Sequence, residues 1–138
     1  MVNRIKQETG LAALEFALIL PFLAILIMGI MDFGMLMTSR AGMVSASREG
    51  ARAGILLTDP LPTESDIISI VQGALTDAGW DSAEVADTTV TVIGAGGTFG
   101  TDLTVQLNKN HSFFVISKLI PSIPDPYPLS ASTTMKHE

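Results

Sequence analysis

A run of sixteen uncharged residues, 16–31, constrains the fold of this chain more than any other feature of its sequence. Glu15 and Asp32 bound the run, and ten of its residues are Leu, Ile or Phe. Those ten contribute about −3 to −6 kcal/mol toward membrane insertion. The run is apolar on every side, unlike a surface helix of a globular domain. Residues 11–14 and 33–37 extend it to the roughly 20 residues that cross a bilayer, so the sequence predicts a retained membrane anchor.

A cleaved secretory signal peptide is the main alternative for this segment. A Val-Ser-Ala tripeptide ending at Ala46 resembles a cleavage site, but it lies fifteen residues beyond the apolar run, too far for a short c-region. The count of basic residues hardly decides the orientation, because Arg4 and Lys6 lie on one side and Arg40 and Arg48 on the other. The acidic tail favours an outside C-terminus.

Apolar and acidic residues occupy separate parts of the chain. A mean hydropathy of +0.42 is combined with a formal net charge of −6. Most of the hydropathy comes before Met37, and most of the negative charge follows Pro60. The few basic residues are dispersed, whereas phosphate contacts need clustered Lys and Arg, so no nucleic-acid partner is expected. The absence of cysteine excludes a disulfide framework, a thiolate zinc site and a cysteine nucleophile.

The residues just before the apolar run are the clearest candidates for chemistry. A short charged leader ends at Gly10, four apolar residues follow, and Glu15 and Phe16 come next. This arrangement resembles the processing site of a type IV prepilin, which implies that a prepilin peptidase cuts between Gly10 and Leu11. Because a carboxylate at a bilayer edge is costly unless it is paired, Glu15 could pair with the new Leu11 amine of a neighbouring subunit. The other interpretation is that Gly10 simply precedes an anchor helix and Glu15 caps its first turn.

Further segments carry a resemblance to a known family: Pro21-Phe22-Leu23, Gly29-Ile30-Met31-Asp32-Phe33-Gly34, Ser47-Arg48-Glu49-Gly50-Ala51-Arg52-Ala53-Gly54 and Leu129-Ser130-Ala131-Ser132-Thr133-Thr134-Met135. They resemble the TadE-like family, the minor pseudopilins of tight-adherence (Flp) pilus systems, closely over residues 10–54 and thinly over 58–128. The resemblance implies a part in pilus assembly (initiation, capping or regulation) rather than enzymatic turnover. It also implies the inner membrane, other pilins or pseudopilins and the pilus assembly platform as partners, with the C-terminal module in the periplasm. The alternative is an uncleaved, membrane-anchored module that binds another envelope component.

The anchor is predicted to continue outward as part of one long helix. No helix breaker separates Met31 from Leu57, and residues 11–57 as a helix would span about 70 Å at 1.5 Å per residue. Pro21 allows a kink within the membrane. Small residues at every fourth position form a stripe along one face, namely Gly42, Ala46, Gly50 and Gly54. This small-residue stripe permits close packing, either against another pilin-like helix or against the chain's own C-terminal module.

Charged residues on the same part of the helix form a second candidate surface. Arg48 and Arg52 share a face, and Glu49 lies within reach of Arg52. We interpret the three as a solvated ion-pair face. The other possibility is a contact for an acidic partner.

The remainder, residues 58–138, is predicted to be a small α+β module. A Pro-containing linker ends the long helix, and Thr63 with Asp66 predicts a capped helix that stops near Gly79. Alternating apolar residues predict strands around Val90, around Val105 and over 129–135, whereas 113–120 is ambiguous between strand and helix. The expected fold is therefore a leader (1–10), a long helix (11–57), and one helix on an antiparallel sheet of about three strands. A core of this size is marginal, so the long helix is its expected packing partner.

The sequence contains no complete motif for an enzyme site. We therefore expect no catalytic activity, no cofactor and no bound metal. The Asp-Phe-Gly tripeptide beginning at Asp32 lacks the other kinase motifs, and the glycine-rich stretch 94–100 lacks the lysine of a phosphate-binding loop. The two histidines, His111 and His137, are too separated for a convincing metal site and are expected at the surface.

Overall fold

The first helix, α1, runs over Val2–Gly54 in the computed structural model, which describes the backbone of residues 2–137 and the side chains of residues 11–137. The predicted leader, residues 1–10, lies outside the residues whose side chains are described. α1 passes through Pro21 and ends at Gly54, short of the predicted end at residue 57. The amide of Ile55 still makes a helical hydrogen bond to the carbonyl of Ala51 at 3.1 Å, and its side chain is buried, before the chain leaves the helix.

The second helix, α2 (Glu64–Asp77), has both of its predicted end signals. Thr63 is the N-cap, its hydroxyl accepts the amide of Asp66, and the Asp66 carboxylate accepts the amide of Thr63 at 2.9 Å, which completes a capping box. At the other end Gly79 has a φ of +90°, and the amide of Trp80 donates to the carbonyl of Leu75 at 3.2 Å. This Schellman arrangement needs the left-handed conformation that glycine adopts freely. It turns the chain so that Trp80 points back toward α1.

Three antiparallel strands form one sheet in the order β1 (Thr89–Ile93), β2 (Asp102–His111) and β3 (Tyr127–Lys136). The register pairs Val92 with Val105, and Leu107 with Ala131. Strand residues alternate between faces, so one face carries the apolar side chains and the other stays polar and open to solvent. The α+β fold predicted from the sequence is confirmed.

Two short helices complete the module. Helix α3 (Ser82–Ala86) begins with its own capping box between Asp81 and Glu84, in a stretch for which the sequence analysis predicted no element. Helix α4 (Ile116–Leu119) settles the ambiguous segment 113–120 as a short helix rather than a strand. Neither has a periodicity long enough to be recognised in a sequence.

The core lies between the apolar face of the sheet and two helices, the outward half of α1 and α2. Its fully buried residues come from all of these elements, namely Met43, Ala51, Ile67, Val71, Leu75, Leu103, Val105 and Leu107. Ser47 of α1 also shares a hydrogen bond of 2.7 Å with Thr133 of β3. α1 is therefore the packing partner that the marginal module requires.

Candidate functional site

The predicted processing junction lies at the edge of the described side chains. Gly10 falls outside them, whereas Leu11, Glu15 and Phe16 are all exposed on α1. Glu15 follows Leu11 by about one helical turn, so the two lie on the same side of the helix roughly 6 Å apart along its axis. The salt bridges found among residues 11–137 do not involve Glu15. Its carboxylate is accordingly available to a group outside the part of the chain described.

The segment that follows Glu15 is not covered by the other residues whose side chains are described. Every large apolar side chain from Leu18 to Met31 is exposed. α1 is the one helix among the described residues that is long and apolar enough to cross a membrane, as judged by length and composition. Such a surface is costly in water and ordinary in hydrocarbon, so a membrane-spanning segment is indicated.

The small-residue stripe packs against the chain's own module. Trp80 covers Gly42, Val71 covers Gly50, and the side chains of Leu103 and Ile67 lie so close to Gly54 that a Cβ there would come within 2.5 and 2.6 Å of them. Ala46 is also buried. Of the two partners considered for the stripe, the structure thus shows the module, and this face of α1 is occupied within one subunit.

The charged residues of α1 form a different surface from the ion-pair face that we predicted. Arg48, Glu49 and Arg52 are all exposed. The salt bridges within residues 11–137 join Lys109 to Glu84 and Lys136 to Asp102, and neither Arg48 nor Arg52 takes part in one. The arginines instead line two shallow depressions on the outer side of α1, one shared with Met37 and Arg40 and the other with Met135.

Asp32 holds a distant loop against the end of the apolar run, a role that the sequence analysis missed. It is almost fully buried, and its carboxylate accepts three backbone amides: Phe114 at 3.0 Å, Val115 at 2.8 Å and Ile116 at 2.9 Å. Three donors aimed at one carboxylate offset the cost of its burial. The sequence did contain a signal for this contact, because an acidic residue at the end of a membrane-spanning run requires a hydrogen-bonding or charged partner. The sequence did not say which segment supplies it.

A buried lysine, Lys109, joins α3 to the sheet at the end of the module that faces residues 31–39 of α1. Lys109 Nζ lies 3.0 Å from Glu84 Oε1 and 4.0 Å from the ring centroid of Trp80. Burial lowers the pKa of the neighbouring His111 below its usual value, and the charge of Lys109 lowers it further. Trp80, Glu84 and His111 also line a groove between the module and residues 31–39 of α1.

The expectation that both histidines lie at the surface was wrong for His137. Its side chain is fully buried, and its Nε2 lies 3.0 Å from the carbonyl oxygen of Gly94. The amide of His137 donates to Thr101, and its carbonyl accepts the amide of Gly100. His137 therefore fastens the glycine-rich loop to the end of β3. Across the described side chains, no three His, Cys, Asp or Glu residues are placed to hold a metal ion.

Comparison with known proteins supports the resemblance seen in the sequence. A family model described as TadE-like protein matches residues 10–52, which run from Gly10 through the apolar run to the small-residue stripe. No curated protein and no solved structure matches the chain. The matched segment is thus TadE-like and indicates a protein associated with a Tad pilus, whereas the module beyond it has no counterpart in these comparisons.

Proposed function

We propose that this chain is a minor pseudopilin that takes part in the assembly of a Flp-type tight-adherence pilus, by initiating, capping or regulating it. The observation that carries the proposal is the exposed Glu15 on an uncovered apolar helix, four residues after Leu11, inside the TadE-like segment. In this proposal the protein spans the inner membrane once, with its module in the periplasm. Its partners are a prepilin peptidase, other pilins or pseudopilins, and the pilus assembly platform.

The chemistry of assembly follows from the cost of charge in a membrane. Cleavage after Gly10 exposes a cationic amine on Leu11, close to the carboxylate of Glu15. Within a bundle of such helices, Glu15 of an incoming subunit pairs with the Leu11 amine of its neighbour. The pair lowers the cost of both charges and is formed at only one axial offset between subunits, so it selects the register.

The module favours a minor role over that of the main filament subunit. The outward half of α1 buries its small-residue stripe in the subunit's own core, so that face is closed to neighbouring helices. Contacts between subunits are left to the uncovered apolar half and to the arginine-lined outer side of α1. A subunit of this kind suits an end or an initiation complex, where fewer helical faces are shared.

The identity of the mature N-terminal residue tests the proposal. The full chain is expressed in membranes with a prepilin peptidase, and its first residue is determined by mass spectrometry. A mature start at Leu11 is expected in the wild type and in the control variant Thr9→Ala, with cleavage lost in Gly10→Leu. An intact Met1 in the presence of an active peptidase would overturn the proposal and favour an uncleaved anchored module.

A further inference from the structure

The loop around α4 carries three large apolar side chains that are exposed to solvent. Phe114 is 71% exposed, Leu119 is 55% exposed and Ile120 is 46% exposed. Phe113 between them and the sheet is buried, and packs against His111 with ring centroids 5.3 Å apart. One side of the loop is thus fixed in the module, while these three side chains, here termed the apolar foot, point away from it.

Asp32 fixes the level of the apolar foot along α1. The three amides that its carboxylate accepts belong to Phe114, Val115 and Ile116, so the loop lies at the end of the apolar run. Phe114 also lines a small apolar hollow with Met28, Met31 and Met35 of α1. Through Phe114, the exposed surface of the foot therefore adjoins the exposed surface of the membrane-spanning segment.

We propose that the apolar foot is a lipid-binding surface of the module, seated in the outer interface of the same bilayer that α1 crosses. The residues 16–31 span about 24 Å, less than the roughly 30 Å of a hydrocarbon core. Residues 33–37 of α1 extend the span on its outward side, and the foot adds apolar surface at the same level. Lys118, whose Nζ lies 5.8 Å from the ring of Phe114, is placed to extend toward anionic headgroups.

The proposal also explains why an acid is tolerated at that depth. An unpaired carboxylate there would face hydrocarbon. The loop that carries the foot donates three backbone amides to the two oxygens of Asp32, and the residue is almost fully buried, so its carboxylate is shielded from lipid. The same contact keeps the module close to the membrane and sets its height above it.

Phe99 is an exposed aromatic residue that does not share this placement, and it provides a matched control. Phe99 is 79% exposed, but it belongs to the loop before β2, whose first residues lie beside Gly54 at the far end of the packed helix. Asp32 and Gly54 are separated by 22 residues of α1, or about 33 Å. Phe99 is therefore expected in water when Phe114 is in lipid.

Site-directed spin labelling of the full chain tests the proposal, and the absence of native cysteine permits single labels. The variants Phe114→Cys, Leu119→Cys and Phe99→Cys are reconstituted into vesicles of phosphatidylethanolamine and phosphatidylglycerol, with Phe22→Cys in the span as the lipid reference. Collision rates of each label are measured with oxygen, which concentrates in lipid, and with a water-soluble nickel chelate.

The expected result is a several-fold excess of oxygen over nickel collisions at 114 and 119, as at 22, and the reverse at 99. Nickel accessibility at 114 and 119 equal to that at 99 would show a foot in water and overturn the proposal. Low collision rates with both reagents would show a foot covered by protein and would overturn it as well. The fluorescence of Trp80, the single tryptophan, confirms in each variant that the module is folded. The vesicles contain no pilus components, so the outcome is independent of the proposed pilus function.

Discussion

The two halves of α1 have the same backbone and opposite surroundings. Between Leu18 and Met31 every large apolar side chain is exposed, whereas Met43, Ala46 and Ala51 in the outward half are buried against the module. The first half is apolar on all sides, as suits a segment that is long and apolar enough to cross a membrane. From Met43 onward the helix is apolar where the module covers it, and its exposed residues are Ser45, Arg48, Glu49 and Arg52. The comparison teaches that one continuous helix can be exposed along one part of its length and packed against protein along another, with the same helical backbone in both.

Glycines show the same difference at the level of single atoms. A Cβ added at Gly29 or Gly34 would meet nothing within 4 Å, but one added at Gly50 or Gly54 would meet side chains of the core. In the outward half glycine therefore permits close packing of α1 on α2 and the sheet. In the membrane half the subunit itself gives no packing reason for glycine.

The largest expected effect concerns function in the membrane half. We expect Glu15→Ala to insert and fold normally, because Glu15 is exposed and makes no contact with the module. Pilus assembly should nevertheless be lost, since the partner of the Leu11 amine is gone. Counting pili by electron microscopy measures the effect. Glu15→Gln, which keeps the size and removes the charge, should fail equally; normal pili in either variant would contradict the pairing.

At the boundary between the two halves, Asp32→Ala should release the loop at 114–116. Hydrogen bonds to a charged group contribute about 1.5–3 kcal/mol, so the amides of the loop should exchange hydrogen at least about tenfold faster. Hydrogen exchange followed by mass spectrometry measures this for a peptide covering the loop, with a peptide covering Leu103–Leu107 as the internal control. In Asp32→Asn, which keeps one oxygen acceptor, the exchange rate of the loop amides should lie between the rates in the wild type and in Asp32→Ala. Unchanged exchange in Asp32→Ala would mean that the carboxylate does not hold the loop.

A pair of glycine substitutions in the two halves tests the comparison directly. Gly50→Ala should lower the free energy of unfolding by about 1–2 kcal/mol, because overpacking of the core exceeds the gain in helix propensity. Gly34→Ala should leave it unchanged or raise it slightly, since the added methyl meets no atom. Urea unfolding followed by Trp80 fluorescence in detergent micelles measures both. Equal effects at the two positions would remove the distinction between the halves.

The parts of the fold that sequence could predict were those encoded locally. The apolar run and the caps of α2 at Thr63 and Gly79 are signals between neighbouring residues, and all correspond to the observed elements. The contacts of Asp32 with residues 114–116 join positions more than 80 residues apart, and the burial of His137 depends on the loop at Gly94. Such contacts are fixed by tertiary packing, and no periodicity marks them. For the small-residue stripe, the sequence identified the residues that pack closely, but it did not decide whether they pack against another helix or against the module.

The smallest expected effect lies in the module, at the capping box of α2. Thr63→Ala should lower the free energy of unfolding by about 1 kcal/mol at neutral pH, the usual value of an N-cap.

The hydrogen bonds from the side chain and backbone of Thr63 lower the pKa of Asp66, so the ionised carboxylate is favoured by folding. Its stabilisation is complete above the ordinary carboxyl pKa of about 4 and is lost as pH falls through the lowered value. The stability difference between wild type and Thr63→Ala should therefore shrink in acid, as measured by urea unfolding at a series of pH values. A constant difference would show that the Thr63 hydroxyl caps the helix without help from the charge of Asp66. Gly34→Ala, which lies far from the cap, should keep the same offset from wild type across that pH range.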